Sequence, residues 1–159
     1  MNLHMGYLTQ KQSLVWTLRN NGFNEASIAR KLSVTRQTVH YALNTASQKI
    51  GESLEETANI NKIEIETTDP SKGFLVGYSP HFKSQAFITF SAKNGIQIWY
   101  KHEGNCAECK RLKTCRELLL EEARERKIQL EEEATTLPPS KLAEFLFSII
   151  TGGRKNEDS

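Results

Sequence analysis

Three cysteines stand within ten residues, in the run His102-Glu103-Gly104-Asn105-Cys106-Ala107-Glu108-Cys109-Lys110-Arg111-Leu112-Lys113-Thr114-Cys115, and the rest of the chain has none. A C-x2-C knuckle brings two thiolates to one ion, and Lys110, Arg111 and Lys113 offset part of the charge of three. A closed tetrahedral zinc site needs a fourth donor: His102, four residues before Cys106, is the first candidate, and His81 the reserve. An odd cysteine count cannot pair fully within one chain, and a reducing cytosol disfavours disulfides. The expectation is a structural zinc held by Cys106, Cys109, Cys115 and His102. An iron-sulfur or redox-sensing centre on three cysteines, and three reduced thiols without metal, stand as alternatives. Cys115 is expected at a helix start, where the N-terminal dipole would lower its thiol pKa.

A second set of residues with chemistry to offer lies on a segment that reads as a helix-turn-helix. Asn24 can cap a short helix with Ile28, Ala29 and Leu32 on its apolar face, and Thr35 can cap the next, running through Val39 and Leu43. The turn between them is as tight as the motif requires. Ala29 sits where the two helices approach closely, and Ser33 takes the turn position where glycine is commonest. The run LTQKQSLVWTLRNNGFNEASIARKLSVTRQTVHYALNTASQKIGE, about a third of the chain, resembles the LuxR/GerE type of helix-turn-helix and the head of archaeal Tfx-type DNA-binding proteins. The resemblance implies that the helix capped by Thr35 lies in the major groove of double-stranded DNA, its N-terminal outward residues on base edges. Those residues are Thr35, Arg36, Gln37, His40 and Asn44. Arg36 suits guanine O6 and N7, Gln37 suits adenine N6 and N7, and His40 an acceptor edge. Arg30, Lys31 and Lys49 are assigned to phosphates, with Thr9 or Gln10 adding contacts. The C-x2-C-x5-C spacing in turn resembles part of the iron-sulfur segment of some radical enzymes' accessory domains, with Leu119 standing where that pattern has a further cysteine.

The elements that must hold these two sets are legible in outline. Thr9 and Gln12 form a capping box before a helix bearing Leu14, Val15 and Leu18, which Asn20-Asn21-Gly22 stops. Beyond Leu43 an apolar stripe continues at Ala46, Ile50, Leu54 and Ala58, as an extension of the recognition helix or as a fourth helix, expected to pack on the head. After residue 60 the period becomes alternating. Strands are expected at Lys62-Ile63-Glu64-Ile65-Glu66, 74–79, 84–91 and from Ile96, with turns at Asp69-Pro70-Ser71-Lys72-Gly73 and Lys93-Asn94-Gly95. They imply an antiparallel meander with one covered face. A helix is expected over about 114–133, then a last helix capped by Ser140 with Leu142, Phe145, Leu146, Ile149 and Ile150 on its apolar side, part of it buried in a dimer. The expected class is α+β: residues 1–58 a helix-turn-helix domain with its connecting helix, 59–151 a four-stranded sheet with the Cys-rich knuckle and two helices, and 152–159 a disordered tail.

Charge and composition narrow the function. Of 159 residues, 25% are charged, and the net charge of +2 hides a head of +5 over residues 1–50 and a remainder of −3. A basic head on a faintly acidic body suits a nucleic-acid reader. No apolar run reaches the roughly 18 to 20 residues of a membrane span, and the N-terminus lacks a secretory pattern, so a cytoplasmic protein is expected. No P-loop, dinucleotide-binding glycine pattern or Ser-His-Asp spacing is present, which argues against an enzyme. The leading expectation is a homodimeric, sequence-specific DNA-binding regulator with a metal-binding sensing or dimerisation domain. The alternative is an RNA-binding adaptor with a zinc knuckle, whose sheet would present Tyr78, Phe90, Trp99 and Tyr100 for base stacking.

Overall fold

Cap residues start three helices of the N-terminal third where the sequence places them. The structure, a computed structural model, describes residues 8–102 and 106–152. In α1 (Gln10–Asn20) the Thr9 hydroxyl accepts from Gln12 N at 3.2 Å, and Gln12 Oε1 accepts from Thr9 N at 3.0 Å, closing the capping box. Asn24 caps α2 (Glu25–Leu32) through Ser27 N at 2.8 Å, and Thr35 caps α3 (Arg36–Ile60) through Thr38 N at 3.1 Å. Between α2 and α3, Ser33 adopts the left-handed conformation at φ 53°, so serine does here what glycine does most easily. Val15, Ile28, Ala29, Val39, Ala42 and Leu43 form one buried cluster that fixes the three helices against each other. Ala29 is small at the helix crossing, as expected, and its carbonyl receives Val34 N at 3.0 Å.

The stripe beyond Leu43 belongs to the same helix. At 25 residues α3 is about 37 Å long. Its second half does not pack on the head as expected: Ala46, Ile50, Leu54 and Ala58 lie in the core of the sheet, with Leu75, Ala86, Ile88 and Phe90. Small residues alternating with Ile and Leu let a helix lie close to a pleated surface.

The sheet is an antiparallel meander in the order β1 (Glu64–Asp69), β2 (Phe74–Ser79), β3 (Ser84–Ser91), β4 (Gly95–Tyr100). Leu75 pairs with Ile88 and Ile88 with Ile98, while Val76 pairs with Phe87 and Phe87 with Trp99, so each face carries its own apolar row. The register slips between Ile65 and Thr67, a bulge that the clean alternation of the sequence does not announce. Opposite it, Gly77 lets β1 come close: a Cβ there would stand 2.5 Å from Glu64 O.

Both faces of the sheet are covered, rather than one. The face away from α3 carries Phe74, Val76, Phe87 and Trp99 and packs on α4 (Leu112–Glu125) and α6 (Pro139–Ile150), with the single turn α5 (Glu132–Thr135) between them. The helix expected to run to residue 133 stops at Glu125, where Lys127 turns left-handed at φ 53° and Ile128 N bonds back to Ala123 O at 2.9 Å. Ser140 does not cap α6: Pro138 holds that position with Pro139 in the first turn, an arrangement that needs no side-chain cap. Leu142, Leu146, Phe147 and Ile150 are buried within the chain. The architecture is α+β, helical head first, then the sheet and its C-terminal helices, with α3 shared by head and sheet. Among the described residues no helix is long and apolar enough to cross a membrane. Of the tail expected over 152–159, all but Gly152 lies outside the described residues.

Candidate functional site

The first two turns of α3 present a polar row to solvent. Arg36, Gln37, His40 and Asn44 are exposed, while Val39, Ala42 and Leu43 on the opposite side lock the helix into the head core. Thr35 is exposed as well, its hydroxyl occupied by the cap and lying 2.8 Å from that of Thr38. Two of the row are held by Glu25, from the first turn of α2. His40 Nδ1 stands 2.9 Å from Glu25 Oε1, and Arg36 Nε 3.6 Å from Oε2. A carboxylate only accepts, so His40 donates through Nδ1, and its Nε2 stands 3.2 Å from the Asn44 side-chain amide. The hydrogen bond from His40 holds the Glu25 carboxyl below its ordinary pKa, and the charges of His40 and Arg36 add to this. Glu25 and Tyr41 are the members of this surface that the sequence reading left out. Tyr41 follows His40 and is 73% exposed, a large aromatic with no place in the core. Helical phase could have found it, because it falls outside the Val39/Leu43 stripe.

The residues assigned to phosphates divide. Arg30 is exposed and donates to Ser27 Oγ at 3.2 Å, and Lys31 lies over the Phe23 ring at 4.7 Å, both on α2. Lys49 is half-buried instead, and its ammonium donates to Gln12 Oε1 at 2.9 Å, tying α3 to the capping box of α1. Spacing along a helix does not reveal such a tie, because Gln12 is 37 residues away.

The thiols gather around one cavity between sheet and helices whose wall includes His102, Cys106, Cys109 and Cys115. Cys106 is buried and donates to Ser140 Oγ at 3.4 Å. Hydrogen bonding with Ser140, side chain first and backbone second, draws its thiol below the ordinary pKa against the opposing effect of burial. Cys115 sits in the first turn of α4, but its thiol is pushed up rather than down: burial is the main cause, the neighbouring Cys109 adds to it, and the Arg111 guanidinium opposes it. Cys109 is exposed. His102 Nδ1 is 3.0 Å from Tyr100 O. Among the described residues no three His, Cys, Asp or Glu side chains form a group that could hold an ion. His81, the reserve ligand, stacks edge-on against Phe82 at 4.7 Å.

No family model, curated protein or solved structure matches the chain. Function therefore rests on the geometry of these two surfaces. The aromatics invoked for RNA stacking are dispersed by the fold: Phe90 is buried toward α3 and Trp99 packs on the α4/α6 side, so they occupy opposite, covered faces.

Proposed function

We propose that the protein is a sequence-specific regulator that binds double-stranded DNA as a homodimer, reading base edges with the first turns of α3. The observation that carries this reading is the exposed row Arg36, Gln37, His40 and Asn44, on a helix fixed across α2 by a left-handed turn and held in part by Glu25. A planar guanidinium, a primary amide and an imidazole at the N-terminal end of such a helix match the donor and acceptor pattern of the major groove. Arg30 and Lys31 beside the row suit phosphates, and the head carries the basic charge of the chain. One head makes few base contacts, so two heads on two half-sites supply the affinity and set the spacing.

Selection of binding sites from a random duplex pool tests the reading directly. Wild type should enrich one motif, and Arg36→Ala should lose preference at one position, with a penalty of about 1 to 3 kcal/mol. An unchanged motif in that variant would overturn the assignment of α3. Salt titrations of binding to duplex DNA and to single-stranded RNA separate this reading from an RNA adaptor, because tighter RNA binding would replace it. Sedimentation of the protein with its selected duplex reads the dimer, and metal analysis of the same preparation reads whether the thiols hold an ion.

A further inference from the structure

A cavity of about 500 Å³ opens between the outer face of the sheet and the α4/α6 pair. Phe87, Trp99 and Phe147 supply aromatic lining, Val76, Leu119 and Ala143 aliphatic lining, and the three cysteines line it as well. The rings are already ordered. Phe87 stacks on Phe147 at 4.8 Å with 20° between planes, and Trp99 leans on Phe147 at 5.7 Å. Trp99 Nε1 turns away to donate to Thr89 Oγ1 at 3.3 Å, which leaves the carbon face of the indole for the cavity. The hydroxyls along α6 are satisfied inside the helix, Ser148 donating to Phe145 O at 2.6 Å and Thr151 to Phe147 O at 2.7 Å.

Protein interiors close-pack, and voids larger than a few waters are rare in them. A space of this size with mainly aromatic and aliphatic walls falls instead in the range of pockets that enclose small molecules. The charges on the wall set the ligand's charge. Lys101 and Glu144, the lysine and the carboxylate of the lining, lie 3.7 Å apart, and Glu144 is also 3.5 Å from Lys141, so each already has a partner of opposite charge. The thiols offer polarisable sulfur, which packs well against ring edges. We propose that this cavity binds a small, uncharged, planar aromatic molecule, seated between the Phe87/Trp99/Phe147 wall and the three thiols. The site belongs to the second half of the chain alone, so it stands whether or not the head reads DNA.

Titration of the full chain with N-phenyl-1-naphthylamine, a neutral aromatic whose emission rises in apolar surroundings, tests the proposal. The expected result is saturable emission at one probe per chain, with affinity at least tenfold weaker in Ala143→Phe, whose ring occupies the cavity. In wild type, bound probe should slow alkylation of Cys115 at least threefold, and more than that of exposed Cys109, as read by peptide mass. Emission that does not saturate, or saturable binding that Ala143→Phe leaves unchanged, overturns the proposal. So does a dimer in sedimentation that dissociates on Ala143→Phe, which would put a second copy over the cavity. Should that variant fail to fold, protection of Cys115 in wild type decides.

Discussion

Glu25 is the one acidic residue among the first fifty, and its position explains how two exposed, flexible side chains are oriented. By accepting from His40 and pairing with Arg36, the carboxylate reduces the rotamer freedom that each would otherwise lose on binding. The same contacts hold the Glu25 pKa below 4.5, which fixes the sign of a pH effect. A depressed carboxylate pKa contributes stability that is fully present above the unfolded value and is lost as pH falls through the folded one. Wild type should therefore unfold at a higher temperature than Glu25→Gln above pH 4.5, and the gap should close in more acid solution. A gap that stays constant with pH would place the effect of the substitution elsewhere. Residues such as Thr9, Asn24 and Thr35 are legible in the sequence because a cap bonds three positions along the chain. Glu25 with His40, Lys49 with Gln12, and Cys106 with Ser140 are not, because each partner is brought close only by tertiary packing.

Among the elements, the turn between α2 and α3 sets how the exposed row of α3 is presented, and it carries strain. Ser33 sits at φ 53°, ψ 44°, where a non-glycine residue loses about 1 to 2 kcal/mol, while glycine's greater freedom in the unfolded chain takes back about 0.5 to 1. Ser33→Gly should thus stabilise the protein by up to about 1 kcal/mol in urea unfolding and leave the selected DNA motif unchanged. A destabilised variant would mean that the serine side chain, not its backbone, secures the turn. The same backbone conformation ends α4. There the residue is Lys127, with no glycine or proline near it, and a stretch rich in helix formers hides the break. The reach of α3 is concealed differently. The stripe Ala46, Ile50, Leu54, Ala58 gives helix and phase, but nothing local says whether its partner is the head or a sheet that begins at Glu64. The thiol end shows the same limit from the other side. Cysteine spacing gives proximity along the chain, whereas the cavity wall that Cys106, Cys109 and Cys115 share with Phe87, Trp99 and Phe147 is assembled by packing.

At the scale of the whole molecule, head and body meet at the β2–β3 side of the sheet, and a buried ion pair grips the same place from the opposite layer. From the head, Trp16 of α1 lays its ring edge-on against Phe90 at 5.1 Å, and Gly73 has no side chain because a Cβ there would stand 2.9 Å from that indole. From α4, Arg126 donates to Gly73 O and Phe90 O, both at 3.1 Å, and to Lys72 O, while its Nε bonds Glu122 Oε1 at 2.9 Å. Both partners are buried, with 12% and 2% of their side chains exposed, and burial pushes the Glu122 carboxyl above its ordinary pKa against the pull of Arg126. Removing one member of such a pair leaves a charge with no counterpart, whereas replacing both by apolar groups of similar volume is often nearly neutral. Arg126→Ala should accordingly cost about 3 kcal/mol or more, and Glu122→Leu with Arg126→Met should recover most of it. The raised carboxyl sets the pH dependence. Its penalty on the folded state is absent below the unfolded value of 4.5 and grows as pH rises through the folded one. Without Arg126 that rise steepens, so Arg126→Ala should lose stability with increasing pH faster than wild type, as read by urea midpoints across the weakly acidic range. A double variant no more stable than Arg126→Ala would show that the three carbonyls, rather than the buried carboxylate, are what Arg126 serves, and that the junction beneath Trp16 is held by its hydrogen bonds alone.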